Sequence, residues 1–306
     1  MTAQDSATTS SAIAVHSDTP RDTRSGTLLA ALGVVSFSFS FPATVWALDG
    51  FGPWTSTGVR GLLAGLIAAV CLFAARVPLP ERRHWPGLLT VAGGCVIGFP
   101  LLTTLALQTS TTAHSAVVIG VLPLATAVIS SVLTGRRSSR TFWTAAGLGA
   151  LTVIAFTLQQ SRGLPTLGDV YLFGALLVCA AGYAQGGRLA SHMPGWQVIA
   201  WGVVAALPVS VLVTGLSLPW EPVHLTAKAA VGMAYIAAIS QFGGFVVWYR
   251  GMAAIGVPKA SQIQLAQPLI TLVWSVLLMD EQLSPLAAVT ALIVLGCIAV
   301  TQRARD

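Results

Sequence analysis

Charged side chains are scarce in this chain. Asp, Glu, Lys and Arg make up 8% of its 306 residues, while 55% are hydrophobic; ordinary soluble domains carry about 25% charged residues. A soluble fold of this length needs far more polar surface than these side chains can supply. Lipid is the solvent that removes the requirement. Other absences narrow the chemistry. The four cysteines (Cys71, Cys95, Cys179, Cys297) lie within apolar runs without CxxC or metal-ligand spacing, and read as small packing residues. No P-loop occurs, so ATP does not drive the protein directly. No GxSxG turn, HExxH pair or paired carboxylates lie in the apolar runs, so no enzyme chemistry and no cofactor is expected. Acidic residues are also missing from the middle of every apolar segment: Asp49, Asp169, Glu221, Asp280 and Glu281 sit at or beyond segment ends. That argues against a proton or sodium relay through a buried carboxylate, and leaves a facilitator, an exchanger or coupling through His114.

What is present is a succession of apolar segments, each near the 20 residues that cross a hydrocarbon core. Ten are expected: Thr27–Leu48, Trp54–Ala75, Trp85–Leu107, Thr109–Leu133, Thr141–Gln159, Asp169–Ala190, Trp196–Leu216, Ala229–Met252, Pro258–Met279 and Pro285–Thr301. The fold class is therefore an all-α polytopic membrane protein. The 30 glycines and 16 prolines concentrate within these runs, as membrane helices tolerate. Residues 1–26, rich in Ser, Thr, Ala and Asp, read as a disordered cytoplasmic tail. With that tail inside, the cytoplasmic stretches hold nearly all the 16 basic residues. Arg162 and Lys228 fall outside, and Arg60 lies within the second segment. This bias supports ten helices with both termini cytoplasmic. The net charge of +6 is spread over short loops rather than one face, which excludes a nucleic-acid partner. The expected partners are the lipid bilayer and a small molecule; oligomeric partners stay open.

The two halves, 27–159 and 169–301, resemble each other at an offset of 145 residues. Pro123-Leu124 falls on Pro268-Leu269, and Thr126, Val128, Ser130 and Leu133 fall on Thr271, Val273, Ser275 and Leu278. Gly135-Arg136-Arg137 corresponds to Asp280-Glu281-Gln282. Five helices per half is an odd number, so the second half lies inverted. The equivalent loop is then cytoplasmic and basic in one half, external and acidic in the other. Inverted repeats go with alternating access and a site between the halves near the midplane.

Ser36 to Trp46, Val59-Arg60-Gly61, Ala116 to Ser131 with its Pro123, and Val257–Gly296 with Pro268 and the turn Asp280-Glu281 together resemble the EamA family of the drug/metabolite transporter superfamily. The resemblance covers residues 26–302. Where that family carries a Gly-Glu turn, Asp280 replaces the glycine and Glu281 remains. The resemblance implies a ten-helix carrier of small metabolites, commonly amino acids, or of toxic organic compounds, in a bacterial inner membrane.

Several side chains are candidates for substrate contact. Arg60 lies about six residues into its helix, roughly 9 Å deep; its fork suits a carboxylate. The alternative is a structural arginine reaching Asp49 or a helix-end carbonyl, a role the resemblance favours. His114, at similar depth, is a proton or substrate acceptor or else an interfacial side chain. Gln264, Gln267, Thr271 and Ser275 share one helical face beside Pro268, and face a cavity or a neighbouring helix. Gln262 points elsewhere. Gln241, Gly244 and Trp248 share a face of the eighth segment, with Tyr249 adjacent. Ser36 and Ser40, with Phe37 and Phe41, mark the first segment, and Tyr183 the sixth. Aromatics beside amides suit an apolar or cationic substrate. The leading reading is an exporter of small metabolites such as amino acids; efflux of lipophilic or cationic drugs is the runner-up. A channel or non-transporting membrane subunit is the reading from another class.

Overall fold

A computed structural model describes residues 20–135, 139–160, 164–255, 263–264 and 266–303; among these all regular structure is helical. Seven helices are long and apolar enough to cross a bilayer: α1 (Arg24–Leu48), α2 (Pro53–Ala74), α3 (Arg82–Ala106), α4 (Thr112–Leu133), α5 (Arg140–Gln159), α6 (Leu167–Leu189) and α8 (Ala227–Met252). The pair Gly195–Ala205 and Leu207–Ser217, bent by 41°, counts as one further span, α7. Two shorter apolar helices, α9 (Ala266–Met279) and α10 (Pro285–Thr301), complete the bundle. Among the described residues the spans number seven, or eight with the bent pair, where the sequence predicts ten over the whole chain. The expected start of the ninth segment, Pro258 and Lys259, lies outside the described residues, as do Gln262, Arg136, Arg137 and Arg162. The first helix begins at Pro20, ahead of the expected start at Thr27, with proline in the first turn where its missing N–H costs nothing.

Local chemistry sets the helix ends. Pro53 opens α2, and the Glu221 carboxylate accepts the Thr55 N–H at 2.8 Å. Glu281 accepts the Thr112 and Ala113 N–H groups, both at 2.7 Å, capping α4. A capping box of Thr166 and Asp169 starts α6. Each carboxylate meets the positive end of a helix dipole. At the C-terminus of α4, Gly135 takes φ 64°, a left-handed cap that suits glycine.

Prolines break the long helices where the bundle needs irregular backbone. Pro42 cannot donate to Ser38 four residues back. The freed Ser38 carbonyl is taken by the Thr271 hydroxyl at 3.0 Å, and Trp274 Nε1 donates to the Ser38 hydroxyl at 3.0 Å, so α1 is tied to α9 at its own break. Pro123 and Pro268 likewise release the carbonyls of Ile119 and Gln264.

Packing follows a regular scheme. The most extensive contacts join α1 to α8, α3 to α6, α2 to α7 and α5 to α10, with α4 on α9 and α6, and α1 on α9. At α3 and α6 the approach is backbone to backbone: a Cβ on Gly94 would strike the Val178 carbonyl, and one on Gly182 would reach the Cys95 sulfur. Large apolar residues such as Leu66, Val70, Phe73, Leu151, Leu212 and Leu292 remain exposed on the perimeter, the surface that lipid covers. Charges gather at the two ends. One end holds Asp49, Asp169, Glu221, Asp280 and Glu281; the other holds Arg76, Arg82, Arg83, Arg140, Arg188, Arg250 and Arg303. We call them the acidic and basic ends.

Candidate functional site

A cavity of about 590 Å³ runs from the middle of the bundle to the basic end, within the range of small-molecule sites. Its deep wall includes Arg60, Thr44 and Thr103, all buried; its mouth includes Leu133, Gly187 and Arg188, all exposed. At the acidic end several contacts close the bundle, including the His224 N–H to the Gly50 carbonyl at 2.9 Å. Besides the Glu221 and Glu281 caps, His114 Nε2 meets Asp169 Oδ1 at 2.7 Å, and Lys228 meets Asp49 at 2.8 Å.

Arg60 reaches the cavity from α2 and is 7% exposed. Its Nη2 donates to the Ser240 hydroxyl at 3.2 Å, which pairs with the Ser40 hydroxyl at 2.7 Å. Among the described residues its buried Nε has no partner. Among the described residues no carboxylate pairs with it, and Asp49 is engaged with Lys228 instead. Gln241 is 1% exposed, donates Nε2 to the Cys95 carbonyl at 3.3 Å, and leaves Oε1 unpartnered. Gln185 Oε1 and Thr126 Oγ1, also on the cavity wall, are unpartnered as well. Buried polar groups are normally satisfied, and half of the unpartnered ones here belong to residues lining this cavity. Around them stand Phe37, Phe245, Tyr183 and Tyr249, with the Phe37 and Phe245 rings 4.7 Å apart.

Two π-helical segments build the floor. Ala92–Gly98 in α3 carries Cys95, and Tyr235–Gly243 in α8 carries Ser240 and Gln241. The wider π turn is a common feature of functional sites, and here it lets two consecutive side chains, Ser240 and Gln241, share the cavity wall. Residues 92–98 fall, at the 145-residue offset, on 237–243 inside the second segment. The cavity wall obeys the same offset. Ser40 and Gln185, Cys95 and Ser240, Ile119 and Gln264, Leu122 and Gln267, Pro123 and Pro268, and Thr126 and Thr271 are pairs of which both members line it. The second half presents Gln264 and Gln267 where the first presents Ile119 and Leu122, so one side of the cavity is the more polar.

Of the residues singled out from sequence, Gln264, Gln267, Thr271, Gln241, Tyr183, Ser40 and Arg60 line the cavity. Trp248 and His114 do not. Trp248 is buried against Ala30 and Val34 of α1, because the under-wound π segment rotates everything after Gly243 relative to Gln241. Phe245 and Tyr249 take the wall in its place. His114 turns to Asp169 at the acidic end, its ring stacked on Phe156 with centroids 5.3 Å apart. Cys95, Cys179, Gln185, Ser240 and Arg188 line the cavity without having been singled out. The repeat offset carries a signal for one of them, Gln185 from Ser40.

The Glu281 carboxylate links the α9–α10 turn to the start of α4. Glu281→Gln keeps the shape but can offer only one acceptor oxygen, and no charge, to two amides. Hydrogen bonds to charged groups are worth about 1.5–3 kcal/mol, so the melting temperature in detergent is expected to fall by several degrees. Hydrogen exchange is expected to accelerate at amides 112 and 113 first; unchanged protection there would remove the capping role.

An all-helical bundle, among the described residues, with an apolar perimeter, charged ends and a cavity open at one of them is a polytopic membrane protein. The profile of the EamA-like transporter family matches residues 24–158 and again residues 166–302. The chain belongs to that family, within the drug/metabolite transporter superfamily. It is 38% identical to the uncharacterized transporter YdeK of Bacillus subtilis (strain 168) over 281 residues, covering 92% of this chain and 98% of that protein. Identity to the uncharacterized transporter YcbK of the same organism is 24% over 279 residues, or 86% of this chain and 88% of that one. One solved crystal structure matches with a TM-score of 0.64 at 20% identity, covering 90% of this chain and 98% of the other. At that identity the likeness shows the fold alone.

Proposed function

We propose that the protein is a secondary transporter of ten helices, working by alternating access between two inverted five-helix repeats. Both termini lie in the cytoplasm and the membrane is a bacterial plasma membrane. Its substrates are small metabolites that it exports, amino acids and related carboxylates first. The helix packing supports the repeat: exchanging each helix for its partner five places along converts α1–α8 into α6–α3, α4–α6 into α9–α1, and leaves α2–α7, α4–α9 and α5–α10 unchanged. A pseudo-two-fold through the cavity is what alternation needs. The positive-inside bias supports the basic end as the cytoplasmic one, so the cavity described here is the inward-open state.

Arg60 carries the substrate reading. A buried guanidinium without a carboxylate partner is costly, and an incoming carboxylate is the group that relieves it. Counterflow of labelled amino acids in proteoliposomes tests the carrier. Saturable exchange, lost in Gln267→Ala that is still folded, is the expected result; a stepwise conductance would mean a channel, and no specific flux a non-transporting subunit. The aromatic wall favours a second reading, efflux of lipophilic cations, which exchange of an organic cation in place of amino acids would establish.

A further inference from the structure

The described wall of the cavity contains two arginines and no carboxylate. Arg60 sits at the deep end and Arg188 at the exposed mouth, and among the described residues neither has an acidic partner. A guanidinium keeps its charge in a protein, so the cavity carries a positive field from entrance to floor. Low-dielectric walls focus such a field and raise the local concentration of the opposite charge. A cation would have to enter past Arg188 and stop beside Arg60 with no negative group to meet it. A zwitterion would find side-chain amides of Gln264 and Gln267 on the wall for its ammonium, but it brings no net charge to offset the arginines. A monoanion does so, and its apolar body fits against Phe37, Phe245, Tyr183 and Tyr249.

We infer that, within that range of metabolites, the preferred substrate is a net organic anion, a carboxylate on an apolar or aromatic body without an ammonium group, with amino acids as weaker substrates, and that the membrane potential alone drives its export. The second half follows from the first. A carrier that moves one negative charge from a cytoplasm-facing cavity works with the inside-negative potential. At 100 mV that bias amounts to about fifty-fold in the outward direction. No proton or sodium relay is then required, which accounts for apolar segments without an acidic residue at their centres. Deep Arg60 binds the carboxylate through its guanidinium, whose fork suits two oxygens. Its Nη2 donates to Ser240, which pairs in turn with Ser40. This inference rests on the carrier reading, the basic end being cytoplasmic.

Three compounds sharing one body separate the possibilities: 3-phenylpropanoate bears the carboxylate alone, phenylalanine both charges, and phenethylamine the ammonium alone. Binding to the purified full-length protein is followed by intrinsic tryptophan fluorescence, with calorimetry as a second readout. The expected order is 3-phenylpropanoate first, at least ten-fold tighter than phenylalanine, with phenethylamine weakest. Arg60→Gln is expected to remove the preference for the acid without weakening the amine, and Arg60→Lys to restore part of it. Its melting curve checks that the variant is folded. In proteoliposomes, net uptake of labelled 3-phenylpropanoate is expected to rise when valinomycin and potassium set an inside-positive potential, above the leak of protein-free vesicles. Tighter binding of phenylalanine or phenethylamine than of the acid overturns the substrate class and leaves the carrier standing. Flux of the acid that ignores the imposed potential overturns the driving force. Binding of the acid in the expected order without any counterflow removes the carrier and leaves the anion site.

Discussion

Arg60→Met is expected to abolish counterflow, by a hundred-fold or more, while leaving the substrate-free protein at least as stable as the wild type. The two halves of that result have different causes. The guanidinium is 7% exposed, holds one hydrogen bond to Ser240, and has an unpartnered Nε. Replacing buried ionic groups by apolar residues of similar volume is often neutral or stabilising, by about 1–4 kcal/mol. Hydrogen bonds to charged groups contribute about 1.5–3 kcal/mol each, so losing a two-oxygen contact to a carboxylate costs about a hundred-fold or more in binding. A structural arginine behaves the other way. Removing one member of a buried pair costs about 3–5 kcal/mol, and transport would fall because the protein unfolds. Melting curves with and without substrate, beside initial rates, separate the two. A variant that melts many degrees lower would return Arg60 to the structural role that the family resemblance implies.

How legible this site was in the sequence depends on whether the helix between two residues stays α-helical. Gln264, Gln267 and Thr271 were found by spacing because the described part of α9 keeps its register past Pro268. Across α8 the same rule fails. Gln241 and Trp248 stand seven residues apart, a spacing that puts both on one face of a regular α-helix, but the π segment Tyr235–Gly243 adds width to the turn and sends Trp248 to α1. Nothing in "YIAAISQFG" announces a π segment. Its counterpart in α3 was equally silent, which is why Cys95 read as packing. His114 could be placed near a helix end from the sequence, but its partner Asp169 lies 55 residues away and comes to it only through the packing of α4 on α6. The apolar segments themselves were plain, because lipid imposes length and composition directly. The bend of 41° in α7 is a shape that hydropathy does not distinguish from a straight span.

Stapling the acidic end shut is expected to stop turnover altogether and yet spare substrate binding. The contacts that close that end join the segment matched first by the family profile to the one matched second, among them Thr55 with Glu221 and Ser217, Gly50 with His224, Thr112 and Ala113 with Glu281, His114 with Asp169, and Asp49 with Lys228. Half-exposed pairs such as Lys228–Asp49 contribute about 0–1 kcal/mol, and hydrogen bonds to a charged cap about 1.5–3 kcal/mol. Under the alternating access proposed above, together they would hold a gate by a few kcal/mol, enough to keep it mostly closed and little enough to let it open in each cycle. A covalent bridge removes that freedom. In a background with Cys71, Cys95, Cys179 and Cys297 replaced by serine or alanine, His114→Cys with Asp169→Cys accepts a short bifunctional thiosulfonate that a reductant later cleaves. Counterflow is expected to drop to the level of protein-free vesicles on bridging and to return on reduction, with single-cysteine variants unaffected by the reagent. Ligand binding from the basic end is expected to persist, because the bridge leaves Arg188 and the mouth untouched. Undiminished exchange by the bridged protein would mean that the acidic end never opens, and that substrate leaves by another route than alternation between the two halves.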